Sequence, residues 1–161
     1  MDLTLSGTVS PSCGIQPTRN NETVVDFGDL ALVPVNQEIT VNPRGAIRYV
    51  CNDPDGFTTT ITSLNGGRLV RTGTSGGVGN QIDYTINSTG GSRLRVRDGS
   101  LASPIVRSVP ARRRSTRGRR ADISFKIKGV LSQGTGPQGS DTVTAFAGDY
   151  SDVVTISLVA N

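Results

Sequence analysis

Few residues in this sequence have the types and spacing to do chemistry, and the first are its two cysteines, Cys13 and Cys51, 38 positions apart. A disulfide is the better reading: closing that loop would stabilise a small domain by roughly 3–4 kcal/mol in the chain-entropy model. Two buried free thiols of a reducing compartment are the alternative. Neither cysteine lies in a Cys-x-x-Cys, and with no His in the chain no neighbouring imidazole can hold a thiolate, which argues against a redox or nucleophilic role. The absence of His also excludes a Ser-His-Asp triad, a Cys-His pair and any His-ligated metal. Two thiols cannot make a four-cysteine zinc site.

The remaining polar constellations are thin. Asp53 and Asp55 stand close together, but Asp53-Pro54-Asp55-Gly56 is a turn sequence with nothing to raise a carboxyl pKa. The glycine-rich run Gly73 to Gly79 lacks the Lys-Ser/Thr of a phosphate loop and precedes a strand-like rather than a helix-like segment. Asn21-Glu22-Thr23 and Asn87-Ser88-Thr89 fit the N-glycosylation triplet, which arises often by chance. No catalytic residue, metal ligand or cofactor site emerges, and the chain reads as a non-enzyme.

Charge is the strongest bias. Residues 93 to 120 contain ten Arg and a single acid, Asp98, a local balance of +9 in a chain of net +4, so the remainder carries −5. Six of these arginines, Arg112, Arg113, Arg114, Arg117, Arg119 and Arg120, crowd into nine positions that offer nothing to bury and read as a solvated loop between strands near Val96 and Ile123. Such a run suits phosphate contacts, yet no aromatic side chain lies in residues 93 to 120 to stack on bases. No helix-turn-helix, zinc-finger or RNA-recognition signature occurs either, and both absences weigh against nucleic acid. An anionic polysaccharide, a lipid or a neighbouring subunit fits such a loop better.

The elements that must carry these features are strands. Of 161 residues, 34% are apolar and 4% aromatic, with no Trp and 20 Gly, so the core must come from Val, Ile and Leu in thin β layers. Apolar and polar residues alternate in Ile82 to Ile86, Asp122 to Lys128 and Val154 to Leu158, the pattern of half-buried antiparallel strands. Weaker alternation marks Leu3 to Val9, Val24 to Phe27, Glu38 to Val41, Ala46 to Cys51, Phe57 to Leu64, Arg68 to Arg71 and Arg93 to Arg97. Turn formers separate them at Asp53 to Gly56, Asn65 to Gly67, Thr89 to Gly91, Asp98-Gly99 and Gly134 to Pro137. Pro104 and Pro110 break pairing on the near side of the arginine run. Seven to ten short strands in one domain point to an immunoglobulin-like sandwich or a small barrel. No run is long and apolar enough for a transmembrane helix. The start, Met1-Asp2-Leu3, has neither the basic residue nor the apolar stretch of a secretory signal, as expected of an intracellular chain or of a mature one given a new Met.

Taken in order, these segments resemble the pilin subunits of chaperone-usher pili, in particular the spore coat protein U domain of archaic-type pili. The resemblance runs over nearly the whole chain: an alternating segment ending in Cys (Leu3 to Cys13), Val25-Asp26-Phe27-Gly28, a second Cys closing Ile47 to Cys51, Gly67-Arg68-Leu69 leading to Ile82 to Ile86, and the ending Ala147 to Leu158. The missing signal and the arginine-rich insertion depart from the pattern.

The resemblance implies an all-β, immunoglobulin-like sandwich that lacks its last strand and is completed by a donor strand from a neighbouring subunit. It implies a secreted protein, held by a periplasmic chaperone and an outer-membrane usher and then polymerised with identical or related subunits into a cell-surface fibre. On this reading residues 1–12 hold the donor strand and residues 13–161 form the single domain. Leu3, Leu5, Gly7 and Val9 share the face that would enter a neighbour's groove, whose walls are expected at Ile123, Phe125, Ile127, Val154, Ile156 and Leu158. The same alternation fits the domain's own first strand equally well. A standalone secreted β-sandwich, binding or adhesive through its arginine-rich loop, is the competing reading.

Overall fold

The computed structural model describes residues 3–16, 24–43, 47–89, 96–97, 99–110, 118–134 and 141–161. Twelve strands are found among them: β1 (Cys13–Gln16), β2 (Glu38–Val41), β3 (Ile47–Cys51), β4 (Phe57–Ser63), β5 (Arg68–Arg71), β6 (Gln81–Thr89), β7 (Ile105–Val109), β8 (Arg119–Lys128), β9 (Leu131–Ser132), β10 (Thr142–Val143), β11 (Tyr150–Ser151) and β12 (Val154–Ala160). The only helical element described is a single 3₁₀ turn, Leu30–Leu32. No described helix is long and apolar enough to cross a membrane.

Two antiparallel sheets form the sandwich. The first has the order β1-β3-β8-β6-β5-β11, and β2 also pairs with β8, so β2 and β3 share one edge of that long strand while β6 takes the other. The second has the order β12-β4-β7. A separate two-stranded ribbon joins β9 and β10. The inner faces meet in a core of Tyr49, Phe57, Ile61, Ile86, Leu101, Val109 and Ile127, each at most 2% exposed. Tyr49 of the first sheet and Phe57 of the second lock the layers together, their ring centroids 5.2 Å apart and tilted, a pair contributing about 1 kcal/mol beyond area burial.

Period-two alternation decides which side chains reach this core. In β4 (Phe-Thr-Thr-Thr-Ile-Thr-Ser) Phe57, Thr59 and Ile61 point inward and are buried, while Thr58, Thr60 and Thr62 are half-buried on the other face. Cys13 and Cys51 are directly opposed across β1 and β3 and form a disulfide, so the free thiols weighed above are excluded. The bond ties the point where the chain enters the domain to a buried residue of the core.

The corner leading into the last strands is fixed by Tyr150. Its Oη lies 2.7 Å from the carbonyl oxygens of both Phe146 and Gly79, which share its one proton. Gly79 is needed there: its φ is +76°, and a Cβ would come within 2.6 Å of the Phe146 ring.

Three expectations are corrected. Leu3 to Val9 and Val24 to Phe27 alternate like strands but pair with no other strand and lie outside regular structure. A strand, β7, stands between Pro104 and Pro110, where a break in pairing is expected. The prolines flank it without interrupting it, and β7 is the outermost strand of its sheet, a place where proline is tolerated. Of Arg93 to Arg97 only Val96 and Arg97 are described. Val96 is buried outside any strand, its carbonyl accepting from Ser88 N.

Candidate functional site

The core is closed on one side and open on the other. The open side is a groove of about 1500 Å³. The first sheet contributes Leu69 of β5, Ile82 and Tyr84 of β6, and Ile123 and Phe125 of β8, while β12 contributes Val154 and Ile156. Two irregular segments complete it, through Val25, Phe27 and Leu30 and through Ala145 and Phe146. Leu69, Phe27, Phe125, Ala145, Val154 and Ile156 all pack against the core yet stay only partly buried. Their unburied faces are apolar surface that a sandwich ordinarily covers.

Of the six wall residues expected from sequence, the groove gathers Ile123, Phe125, Val154 and Ile156. Ile127 sits instead in the closed core, 1% exposed and paired with Tyr84. Leu158, half-buried and opposite Thr59, lies beyond the groove lining. The strand β12 is the outermost of its sheet. All seven of its residues pair with β4 on one side, and no described strand pairs with the other. Such an edge is a template for another strand.

Ahead of the disulfide, residues 3–12 run outside any strand. Leu3, Leu5 and Val9 are 78%, 87% and 83% exposed, Gly7 has open space around it, and no hydrogen bond holds Leu3 to Val9 among the described residues. The root is held firmly by Asn52: its Oδ1 accepts from Ser12 N, its Nδ2 donates to Ser10 O at 3.0 Å, and its own N–H donates to Ser12 O at 3.0 Å. Upstream of this clamp, Leu3 to Val9 stand exposed to solvent. Asn52 was not legible as a functional residue, because its role needs a partner 40 positions away.

One end of the groove is polar. Asp152, in the link between β11 and β12, accepts from Tyr84 Oη at 2.6 Å and from Ser63 Oγ through Oδ2, and from Asn65 N at 2.9 Å and Val153 N at 2.7 Å through Oδ1. This carboxylate therefore ties β6 of one sheet to β4 of the other and pins the start of β12. Burial, reinforced by the hydrogen bond to Asp152, pushes the Tyr84 phenol well above its ordinary pKa. The lining also includes Asp26, Asp29 and Asp149, all exposed, and among the described residues no Lys or Arg. Asp26 accepts from Gly28 N and Asp29 caps the 3₁₀ turn through Ala31 N, so their positions are set by local backbone.

Arg112, Arg113, Arg114 and Arg117 fall outside the described residues. Arg119 and Arg120, expected in a solvated loop, instead open β8, opposite Tyr49 and Arg48. Asp53 is buried, and its Oδ1 accepts from Asp55 N at 2.8 Å, so the two carboxylates belong to a turn. Among the described residues no three His, Cys, Asp or Glu side chains come together as a metal site would need. What the geometry offers is apolar surface beside β12, a strand that β1 approaches but that no described strand besides β4 pairs with. No protein-family model and no curated protein matches the chain.

Proposed function

We propose that the chain is a structural subunit that polymerises head-to-tail, the segment Leu3–Val9 of one copy entering the groove of the next and adding a strand beside β12. The observation that carries this reading is the coexistence, in one chain, of an apolar groove that the described residues leave partly uncovered and an exposed alternating segment that no hydrogen bond holds among them. The lengths agree: Leu3 to Val9 is seven residues, as is β12. Laid antiparallel in full register, the better-bonded arrangement, Leu3 meets the small Ala160, Leu5 meets Leu158, Gly7 leaves space for Ile156 and Val9 meets Val154. Two of these four pairs, Leu3 with Ala160 and Gly7 with Ile156, set a large residue against a small one, which helps the seam to close-pack.

Strand donation is a known mode of recognition in which main-chain hydrogen bonds give affinity and alternate side chains give specificity. A donor on one patch and an acceptor on another make a heterologous contact, which repeats into an open filament. Such a subunit exposes its groove before assembly and needs a chaperone strand to cover it. This fits a periplasmic chaperone and an outer-membrane usher as partners, and a fibre on the cell surface as product.

Leu5→Asp tests the assignment. A charge in the middle of the donor face would have to be buried unpaired, so the variant is expected to form no polymer while its own domain, which Leu5 does not touch, keeps its thermal stability. Normal fibres from Leu5→Asp would refute the donor assignment.

A further inference from the structure

Nothing in the reach of the chain stops the segment Leu3–Val9 from filling the groove of its own copy. The segment leaves the domain beside the far end of β12: Cys13 Sγ lies 3.9 Å from Gly56 O, and the same carbonyl accepts at 3.3 Å from the N–H of Asn161, the residue after β12. Ser10, Pro11 and Ser12 separate the segment from the disulfide, enough chain to turn back. Ser10-Pro11-Ser12-Cys13 even favours a turn, with proline at its second position. A segment folded back in this way would lie parallel to β12, Val9 beside Ala160 and Leu3 beside Val154, and its ladder would be slightly weaker than the antiparallel one of a neighbour. Tethering outweighs that difference, because a short linker holds the segment at an effective concentration of about a millimolar. Filling between copies therefore needs a device that holds each segment away from its own groove.

We propose that Asn52 is that device, a positioning residue for assembly: it keeps Ser10 and Ser12 in line with β1 and so leaves the groove to the segment of a neighbouring copy. The proposal rests on the strand-donation reading and adds what decides between filling within a copy and filling between copies. Asn52 follows β3 directly and grips the chain with both side-chain atoms, Oδ1 accepting from Ser12 N and Nδ2 donating to Ser10 O at 3.0 Å. Its own N–H donates to Ser12 O at 3.0 Å, which carries the β1–β3 pairing one residue past the disulfide. The Ser10 carbonyl, which a turn would close onto Cys13 N, is bonded to Asn52 instead, and no turn stands over Ser10 to Cys13. None of residues 3–12 lines the groove of its own copy.

The test compares the full-length chain with Asn52→Ala at equal micromolar concentration, reading unboiled SDS ladders and the thermal midpoint of the monomer. Asn52→Ala deletes two hydrogen bonds and keeps the disulfide, and it is expected to shift the balance from ladder to monomer by about tenfold. Its monomer should melt higher than the wild-type monomer, whereas loss of a merely structural contact would lower the midpoint. Adding Leu5→Asp should remove the gain. A Gly-Ser-Gly insertion between Val9 and Ser10 leaves the Asn52 contacts in place and lets the segment turn ahead of them, so it should give the same stabilised monomer, and it decides the matter if Asn52→Ala does not fold. An Asn52→Ala ladder equal to wild type, a variant monomer no more stable than wild type, a gain that survives Leu5→Asp, or an insertion variant that polymerises like wild type would overturn the role of Asn52 while leaving strand donation intact. No ladder from wild type would overturn strand donation and this inference with it.

Discussion

The two halves of the sandwich are made of the same material and end in different states. In the closed half, Phe57, Ile61, Ile86 and Val109 are at most 2% exposed, β4 is flanked on both sides by strands, and the Tyr49–Phe57 ring pair spans the layers. In the open half, Leu69, Phe125, Val154 and Ile156 are equally apolar and alternate equally well, yet they stay half-buried beside an edge strand with one partner. Hydrophobic pattern therefore decides which face of a strand turns inward, and the number of strands decides whether that face is covered. On the strand-donation reading proposed above, the open half lacks one strand, and the segment Leu3–Val9, as long as β12, would supply it.

The largest effects are expected where the closed half is broken. Phe57→Ala removes a fully buried ring and should cost about 3–5 kcal/mol in denaturant unfolding. Next comes the disulfide that ties the N-terminal segment to the core: replacing both Cys13 and Cys51 by Ser should cost about 3–4 kcal/mol, measured against the oxidised chain. Ile156→Ala sharpens the contrast from the open side. In the unassembled chain it should cost only about 1 kcal/mol, because the side chain is already half in water, and more once the groove is filled. An equal loss for Phe57→Ala and Ile156→Ala in the unassembled chain would erase the distinction between the halves.

The smallest effect concerns the polar end of the groove. Tyr84→Phe deletes a hydrogen bond to Asp152 and should cost about 1 kcal/mol at neutral pH. Its sharper signature is alkaline. Because burial raises the folded-state pKa, both states hold the phenol proton below about pH 10. Above that the unfolded chain releases the proton while the folded chain keeps it, so stability falls as pH rises. Tyr84→Phe should flatten that alkaline decline, read as denaturation midpoints between neutral pH and the alkaline limb. An unchanged slope would show that Tyr84 is not the group responsible.

Much of the fold was legible because strand alternation is local. Glu38 to Val41 and Arg68 to Arg71 form strands with the bounds their pattern gives, and β6, β8 and β12 contain the alternating runs that announce them. The failures share one cause, that pairing is not local. Leu3 to Val9 alternates like any strand, but whether it pairs within its own domain depends on residues far along the chain. In β7, flanking prolines read as a break, although an edge strand loses no ladder bond to a proline just outside it. The groove was half legible for the same reason: Phe125 and Ile127 share one face of β8, yet one lines the groove and the other is sealed in the core. Asn52 and Asp152, which hold the N-terminal segment and the start of β12, carry little signal in their neighbours, since Ser10, Ser12, Ser63 and Tyr84 lie 40 or more positions from them.

The central claim, that a segment exposed on one copy fills a groove left open on the next, is tested most directly by comparing SDS-resistant ladders of the full-length chain and of a version lacking residues 2–10, both purified from an oxidising compartment and left unboiled. The account predicts a ladder from the full-length chain that disappears on truncation. A ladder that survives truncation, or a single monomer band from both, would contradict it.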